Sequence, residues 1–185
     1  MAETRGEDRI RAVTVGDVRR LDGRITLAHY DPAWPGLYTR EAERIRSILG
    51  ARVVRLEHVG STSVPGLAAK PIIDLVLVVA DSSDEAAYVS DLENAGYVLR
   101  IREQEWYEHR LLKGPDTNIN LHVFSDGCVE ADRMVSLRDR LRTDASARDL
   151  YERTKRELAD RDWGFVQDYA DAKGAVIESI LANAD

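Results

Sequence analysis

The fold of this chain is decided by one stretch, Glu57-His-Val-Gly-Ser-Thr-Ser-Val-Pro-Gly-Leu-Ala-Ala-Lys-Pro-Ile-Ile-Asp74. Its glycines and small hydroxyl residues allow backbone N–H groups to approach a phosphate closely. The loop leads into an apolar run over residues 72–79 with one carboxylate at its start, a position well suited to holding a metal ion. The stretch therefore predicts a nucleotide or phosphate site at the mouth of a buried strand.

The pattern on either side of this stretch indicates an α+β fold, because strands and helices mix before residue 128 and only helices follow. The apolar run at 72–79 is typical of a central strand buried on both faces. Residues 1–9 are expected to be loose, and residues 10–18 to form a short strand or turn. The other predicted strands are 24–30, 53–58, 97–101, 106–113 and 117–124, and the predicted helices are 37–49, 84–95, 130–142, 147–160 and 165–182.

Composition narrows the possible functions. The chain has 185 residues, 44% of them hydrophobic, which supports one domain, or one domain with a helical appendage, and a real core. Its net charge of −7 argues against general binding to nucleic acid or to anionic membranes, although a local basic pocket is still allowed. The single cysteine, Cys128, rules out an internal disulfide and fits a reducing cytoplasm. Neither a signal peptide nor a membrane-spanning run is predicted, so we expect a cytoplasmic protein.

Asp74 is the first candidate for chemistry, because a carboxylate inside an apolar run is costly to bury without a partner. It is either a metal ligand or general base, or an acid that caps a loop or pairs with Lys70 or an arginine. The glycine-rich loop just before it favours the first interpretation.

The loop residues Gly60, Ser61, Thr62 and Ser63 allow two interpretations as well. They cradle a phosphate with backbone N–H groups and hydroxyls, or they form an ordinary strand-to-helix turn with a serine or threonine as N-cap. Lys70 either offsets phosphate charge or lies on the surface.

Strict alternation from residue 118 to 123 places Asn118, Asn120 and His122 on one face of a strand. That face either lines a cleft or is simply solvated. His122 is a candidate metal ligand, general base or hydrogen-bond donor, and His58 is a second histidine beside the loop. A histidine bonded to backbone is the alternative for both.

The C-terminal helices supply candidate cations. Arg138 shares a helix stripe with Arg133 and Arg142, and such arginines bind a polyphosphate or carboxylate, or pair with surface acids. Lys173 lies on the apolar stripe of the last predicted helix, where a lysine either extends to solvent or reaches a buried anion. Lys155 is similar but lies closer to the edge of its stripe.

The stretch from His58 to Asp74 closely resembles the signature of the GrpB family, which belongs to the nucleotidyltransferase (DNA polymerase β-like) superfamily. The resemblance continues through residues 25–34, 121–123 and 137–142 and through two Tyr-x-x-x-Lys segments, 151–155 and 169–173. It implies a nucleotidyltransferase-like mixed β-sheet flanked by helices, with a C-terminal helical bundle. We accordingly expect a partly flexible N-terminal extension at 1–23, an α/β core at 24–128, and a helical part at 129–185 packed on that core.

The resemblance also implies a site. In active members a Gly-Ser turn contacts a nucleoside triphosphate, and three carboxylates bind divalent metal. Gly60 and Ser61 match the turn and Asp74 matches the first acid, whereas Val76 stands where the second acid belongs and His122 where the third does. We expect Asp74 and His122 to be the catalytic residues, with Asp74 as ligand of a weak Mg²⁺ site.

Two functions follow from this resemblance. One is nucleotide binding, with transfer of a nucleotidyl group to an unknown small-molecule acceptor; the expected binding residues are Gly60, Ser61, Thr62, Ser63, Lys70, Arg138 and Lys173. One aspartate and one histidine hold a metal weakly, so the alternative is a non-catalytic binding or folding-assistance module. GrpB-like domains also occur fused to dephospho-CoA kinases, so the module would assist a partner enzyme of the CoA pathway or another enzyme.

Overall fold

The computed structural model describes residues 2–182, and its centre is a five-stranded mixed sheet in the order β1-β2-β5-β4-β3. Strands β2 and β5 run parallel and every other neighbouring pair is antiparallel. The α+β class expected from the sequence is confirmed. The strands are β1 (Arg55–Val59), β2 (Ile73–Val79), β3 (Val98–Glu103), β4 (His109–Lys113) and β5 (Ile119–Ser125).

Two helices cover one face of the sheet: α2 (Trp34–Leu49) and α3 (Val89–Asn94). Trp34, Ile45 and Leu49 of α2 are buried against the inward side chains of β2 and β5. A proline lies in the first turn of α2, where its missing N–H costs nothing. The helix ends at Gly50, whose φ of 56° favours glycine. This face is the main core, and of the candidate site residues His58 lies on it, stacked on Tyr38 of α2.

Four helices cover the opposite face: α4 (Val129–Thr143), α5 (Ala145–Ala159), α6 (Val166–Asp171) and α7 (Gly174–Ala182). The beginning of α4 packs through Ala131 on the buried side chains of Val76, Val78 and Phe124. Residues of α4, α5 and α7 pack on the loop that follows β1, through Leu67, Leu141, Tyr151 and Ile180 among others. The helical part therefore closes over the loop that the sequence singled out.

The register of the sheet brings polar residues together at one end. Asp74 at the start of β2 pairs with Asn120 of β5, and Val76 pairs with His122. Because alternate residues share a face, all four side chains lie on the face that α4–α7 cover. None of the helices described is long and apolar enough to cross a membrane.

The N-terminal region differs from the expectation. Residues 2–13 form a helix, α1. Residues 10–18 were expected to form a short strand or turn, but 10–13 belong to this helix and the remainder forms no strand. The helix is tied to the body by an ion pair between Arg9 and Asp171. After it, Thr14 forms an isolated bridge with Ile101, and the N–H of Val15 donates to the carbonyl of Arg100 at 2.8 Å. The sequence does not show this tertiary contact, which is why the helix was missed.

Three other elements also differ. The alternating segment 24–30 is not a strand, because it makes only isolated bridges, at Ala28 with Ala69 and nearby at Gly23 with Trp163. The helix expected at 84–95 is shortened to α3, after a 3₁₀ turn, because Tyr88 has a non-helical φ of −148°. The helix expected at 165–182 breaks between α6 and α7.

The domain boundaries stay predictions, and their outer ends at residues 1 and 183–185 lie outside the described residues.

Candidate functional site

A cleft of about 690 Å³ lies between the polar end of the sheet and helices α5–α7. We call it the lysine cleft, because three lysines of different elements line it: Lys70, Lys155 and Lys173. The turn Gly60–Ser61, the carboxylate of Asp74 and the imidazole of His122 line it as well. The structure thus brings together residues that are as far apart in sequence as 60 and 173.

Asp74 is held in one orientation by its neighbours. Its Oδ1 accepts a hydrogen bond of 2.6 Å from the amide of Asn120, and Lys113 donates to the amide oxygen of Asn120, which fixes the direction of that amide. Burial raises the pKa of Asp74, but His122, Asn120 and Lys70 together lower it by more, so that the pKa lies below its usual value. Asp74 is therefore a carboxylate at neutral pH.

Gly60 is required by the position of that carboxylate. Its φ is 68°, and a Cβ built on it would lie 2.4 Å from Oδ2 of Asp74. Only a residue without a side chain allows the loop backbone to pass this close. The glycine of the loop and the aspartate of the strand therefore form one local unit.

A chain of hydrogen bonds leads from Glu103 to His122. Oε2 of Glu103 lies 2.7 Å from Nδ1 of His109, and Nε2 of His109 lies 3.0 Å from Nδ1 of His122. His109 is buried against Phe124, and burial lowers its pKa to about 4, so it is a neutral imidazole. A carboxylate only accepts, so Nδ1 of His109 donates to Glu103 and its Nε2 accepts from His122.

This order of donors determines what His122 presents to the cleft. With its proton on Nδ1, the neutral imidazole of His122 has a free lone pair on Nε2. That nitrogen lies 3.9 Å from Oδ1 of Asp74. His122 is consequently arranged as a proton acceptor beside a carboxylate that stabilises its protonated form.

The three lysines of the cleft lie in a poorly hydrated environment. Nζ of Lys155, a residue only 2% exposed, donates to Oγ of Ser61 at 2.9 Å and to the carbonyl of Ala68. Lys70 and Lys173 lie over the ring of Tyr169, with Nζ 5.5 Å and 4.8 Å from its centroid.

Burial lowers the pKa of Lys155 to about 7 and that of Lys70 to about 8, and Lys173 lowers both further by repulsion. The pKa of Lys173 is itself lowered by burial. Arg9 and Arg133, at the rim, are already paired with carboxylates. Three desolvated lysine amino groups therefore share the cleft with Asp74, whereas the other two lining carboxylates, Glu130 and Asp171, are paired with those arginines, an arrangement that suits a multiply charged anion.

The same cleft does not fit a resident magnesium site. Within residues 2–182, no three histidine, cysteine, aspartate or glutamate side chains are grouped so that they could hold a metal ion. Val76, where the resemblance implies the second acid, is fully buried among apolar side chains. Of the carboxylates among residues 2–182 that line the cleft, Glu130 and Asp171 are paired with arginines, which leaves Asp74, and magnesium prefers several oxygen ligands.

The structure does not bring every predicted residue to the cleft in a useful orientation. The hydroxyl of Thr62 is bonded to His58 and to the carbonyl of Ile72, and that of Ser63 to the carbonyl of Gly60. Arg138 lies elsewhere, bonded to Glu57 and to the His58 carbonyl. Thr62 and Ser63 thus shape the loop.

Sequence reasoning missed several residues of the site. Lys155 ranked below Lys173, although it contacts the Gly60–Ser61 turn directly. His109 and Glu103 were not singled out, because only the pairing of β3, β4 and β5 places them behind His122. Strand β4 reads His-Arg-Leu-Leu-Lys, so its sequence alone does not distinguish His109 from the two other polar residues of the strand.

These features define an α+β protein with a cationic cleft built on a Gly-Ser turn. The sequence model of the GrpB protein family matches residues 24–183, and the chain belongs to that family. It is 57% identical to a UPF0157 protein of Halalkalibacterium halodurans, over 98% of this chain and 93% of that protein. The crystal structure of the conserved protein GrpB from Enterococcus faecalis is 31% identical and covers 86% of this chain and 96% of that one, with a TM-score of 0.71.

A partial similarity was also found. A dephospho-CoA kinase of Mycolicibacterium paratuberculosis is 37% identical over 76 residues, which is 40% of this chain and 19% of that protein.

Proposed function

We propose that this GrpB-family protein has a nucleotidyltransferase-like fold, binds a nucleoside triphosphate in the lysine cleft and transfers its nucleotidyl group to a small acceptor. The observation that carries the proposal is the grouping of Lys70, Lys155 and Lys173 beside the Gly60–Ser61 turn. An isolated buried ammonium group is unfavourable unless an anion accompanies it. A triphosphate has enough charge to accompany all three.

Binding in this manner has a definite pH dependence. Lys155, with a pKa of about 7, is charged in the free protein only below that pH. A bound polyphosphate favours the charged form and raises this pKa, so binding above pH 7 takes up protons. Affinity is expected to fall as the pH rises from about 6 to about 9.

The chemical step uses His122 as general base. Its Nε2 takes the proton of the acceptor hydroxyl while the acceptor oxygen bonds to the α-phosphorus. The bond from that phosphorus to the bridging oxygen breaks, and pyrophosphate leaves with the electron pair. Asp74 stabilises the imidazolium that forms, as a carboxylate does beside a catalytic histidine. A positioned base of this kind contributes about 10²–10⁴-fold to the rate.

The alternative is a non-catalytic binding module that assists another enzyme. Two observations favour it: the buried valine at position 76 and the partial similarity to a dephospho-CoA kinase. Under this alternative the cleft holds a nucleotide or another polyphosphate without turning it over.

Isothermal titration with the four nucleoside triphosphates, with and without magnesium, tests binding. Lys155→Met and Lys173→Met should each weaken it about tenfold or more, whereas Arg153→Gln, an exposed position on the same helix as Lys155, should leave it unchanged. Failure of all four nucleotides to bind the wild-type protein contradicts the transfer function.

Release of pyrophosphate in the presence of a set of small alcohols, amines and sugars tests transfer. His122→Ala should abolish any release while retaining nucleotide affinity. Nucleotide binding without release from any acceptor favours the non-catalytic module.

A further inference from the structure

A second cleft, of about 480 Å³, lies beside the loop and shares no lining residue with the lysine cleft. We call it the arginine cleft, because Arg138, Arg142 and Arg148 line it. Ser63 and Pro65 contribute from the loop. Its size is in the range of small-molecule sites.

The three arginines differ in how far their charges are compensated. Arg138 is bonded to carboxylates of Glu57 and Asp139, at 2.7 and 2.8 Å. Arg142 donates from Nε to the carbonyl of Ser63 at 2.9 Å, and its closest carboxylate, Asp139, is 3.9 Å away. Two guanidinium groups therefore remain largely uncompensated in a protein whose net charge is −7.

Arg148 is the clearer case of the two. Its Nη1 donates to the carbonyl oxygen of Leu141 at 3.2 Å and to that of Arg142 at 3.5 Å, and the nearby carboxylate of Asp144 is ion-paired with Arg140 at 2.9 Å. Backbone carbonyls orient a guanidinium but do not neutralise it, so further N–H groups stay available for an anion.

Aromatic side chains also line the arginine cleft. Tyr30, Pro35 and Tyr38 line it, and the ring of Tyr38 stacks on His58 with centroids 4.8 Å apart. Burial lowers the pKa of His58 to about 4, so this histidine adds no charge. Aromatic and cationic side chains thus line the same cleft, a combination that suits an aromatic organic acid.

We propose that the arginine cleft binds a small organic anion, with its carboxylate or phosphate on Arg142 and Arg148 and its apolar part against Tyr30 and Pro35. Neither Asp74 nor His122 lines this cleft, so its ligand is distinct from the acceptor of the transfer reaction. The proposal is independent of what the lysine cleft binds.

The ligand would also contact the loop. Arg142 donates a hydrogen bond to the carbonyl oxygen of Ser63, and the hydroxyl of Ser63 donates one to the carbonyl oxygen of Gly60. Gly60 in turn lies directly beside Asp74. An anion bound to Arg142 is therefore connected, through Ser63, to the loop that borders the lysine cleft.

Titration of the full chain with benzoate and with phenyl phosphate, followed by calorimetry and by the arginine Nε–H signals in NMR spectra, tests this proposal. The two probes distinguish a carboxylate from a phosphate ligand. We expect saturable binding at millimolar concentration or below, with shifts at Arg142 and Arg148.

The double variant Arg142→Gln with Arg148→Gln should weaken binding about tenfold or more. Arg153→Gln, on the same helix as Arg148, and Lys155→Met, in the other cleft, should leave it unchanged. Because Arg142 also holds the loop, the double variant with lysine at both positions keeps the charge and should retain part of the affinity.

If neither benzoate nor phenyl phosphate binds saturably, the proposal is overturned. Undiminished affinity in the double glutamine variant overturns it too, as does loss of affinity in Lys155→Met, which would assign the probes to the lysine cleft. Nucleotide titrations of the lysine cleft are unaffected by any of these results.

Discussion

Val76 and His122 are direct neighbours in the parallel register of β2 and β5, and they share the face of the sheet that carries the site. The valine is fully buried with Val59, Phe124 and Ala131, whereas the histidine faces the lysine cleft. The position of the second acid implied by the resemblance is thus part of a packed apolar cluster under α4. A carboxylate there would need a rebuilt core as well as a changed residue.

The first prediction is that Val76→Asp lowers the free energy of unfolding by about 3–5 kcal/mol without creating a magnesium site, because it buries a charge without a partner. Denaturant unfolding with and without Mg²⁺ measures this. Val54→Asp, at a position 52% exposed, is the control and should cost under about 1 kcal/mol. Stabilisation of Val76→Asp by Mg²⁺ would show instead that the cluster can accept a metal ligand.

The second prediction concerns the glycine that borders Asp74. Gly60→Ala should lower the free energy of unfolding by about 3 kcal/mol, because the costs of a strained backbone and of a displaced Asp74 carboxylate add together. It should also impair any nucleotide binding. Gly66→Ala is the matched control: its φ is also positive, at 80°, but a Cβ there meets nothing within 4 Å. It should cost about 1–2 kcal/mol. Equal costs at the two positions would contradict the contact with Asp74.

A double variant sharpens this test. Adding Asp74→Ala to Gly60→Ala removes the oxygen that the new Cβ would strike, so part of the lost stability should return. If the stability lost in the double variant equals the sum of the losses in the two single variants, the new Cβ and Asp74 are not in direct contact.

The third prediction concerns Lys155. Lys155→Met should stabilise the protein by about 1–3 kcal/mol at pH 6, because a desolvated ammonium is replaced by an apolar group of similar length. Two acceptors, Ser61 and Ala68, lose their donor, which limits the gain.

The pH dependence of this gain has a definite sign. The folded pKa of Lys155, about 7, lies below its ordinary value of 10.5, so the unfolded chain binds more protons between these limits. The wild-type protein therefore gains stability as the pH rises through this range, and the advantage of methionine should shrink. Thermal unfolding of both proteins at about pH 6 and pH 9 checks this; a constant difference would contradict a lowered pKa.

The fourth prediction concerns the tautomer of His122. In the neutral form its proton should reside on Nδ1, because Glu103 and His109 accept in sequence. Long-range ¹H–¹⁵N correlation spectra distinguish the two tautomers directly. His109→Phe removes the acceptor and should shift His122 toward the Nε2–H form, whereas the signals of His29 serve as an unchanged reference. An Nε2–H tautomer in the wild-type protein would exclude His122 as a base toward the cleft.

The sequence was sufficient for those parts of the site that lie close together along the chain. The loop and Asp74 are separated by a few residues, and strict alternation placed Asn120 and His122 on one face. Both inferences need only local geometry, and the central strand was recognisable because it is apolar on both faces. The same reasoning explains why the α+β class was predictable.

Tertiary pairing accounts for what the sequence could not supply. Lys155 became central only when α5 packed on the loop, and His109 only when β4 paired with β5. Arg138 was expected at the nucleotide but lines the arginine cleft, where it is bonded to Glu57 and to the His58 carbonyl. The alternating segment at 24–30 had the pattern of a strand but found no strand to pair with.

The match to the family model begins at residue 24, yet β3 is an edge strand of the sheet, and Thr14 and Val15 are hydrogen-bonded to it. Removal of residues 1–23 would leave the backbone groups that they cover open to another molecule. Uncovered outer strands are templates for sheet growth between chains. We therefore expect a chain that begins at residue 24 to self-associate more readily than the full chain, because Thr14 and Val15 no longer cover that edge.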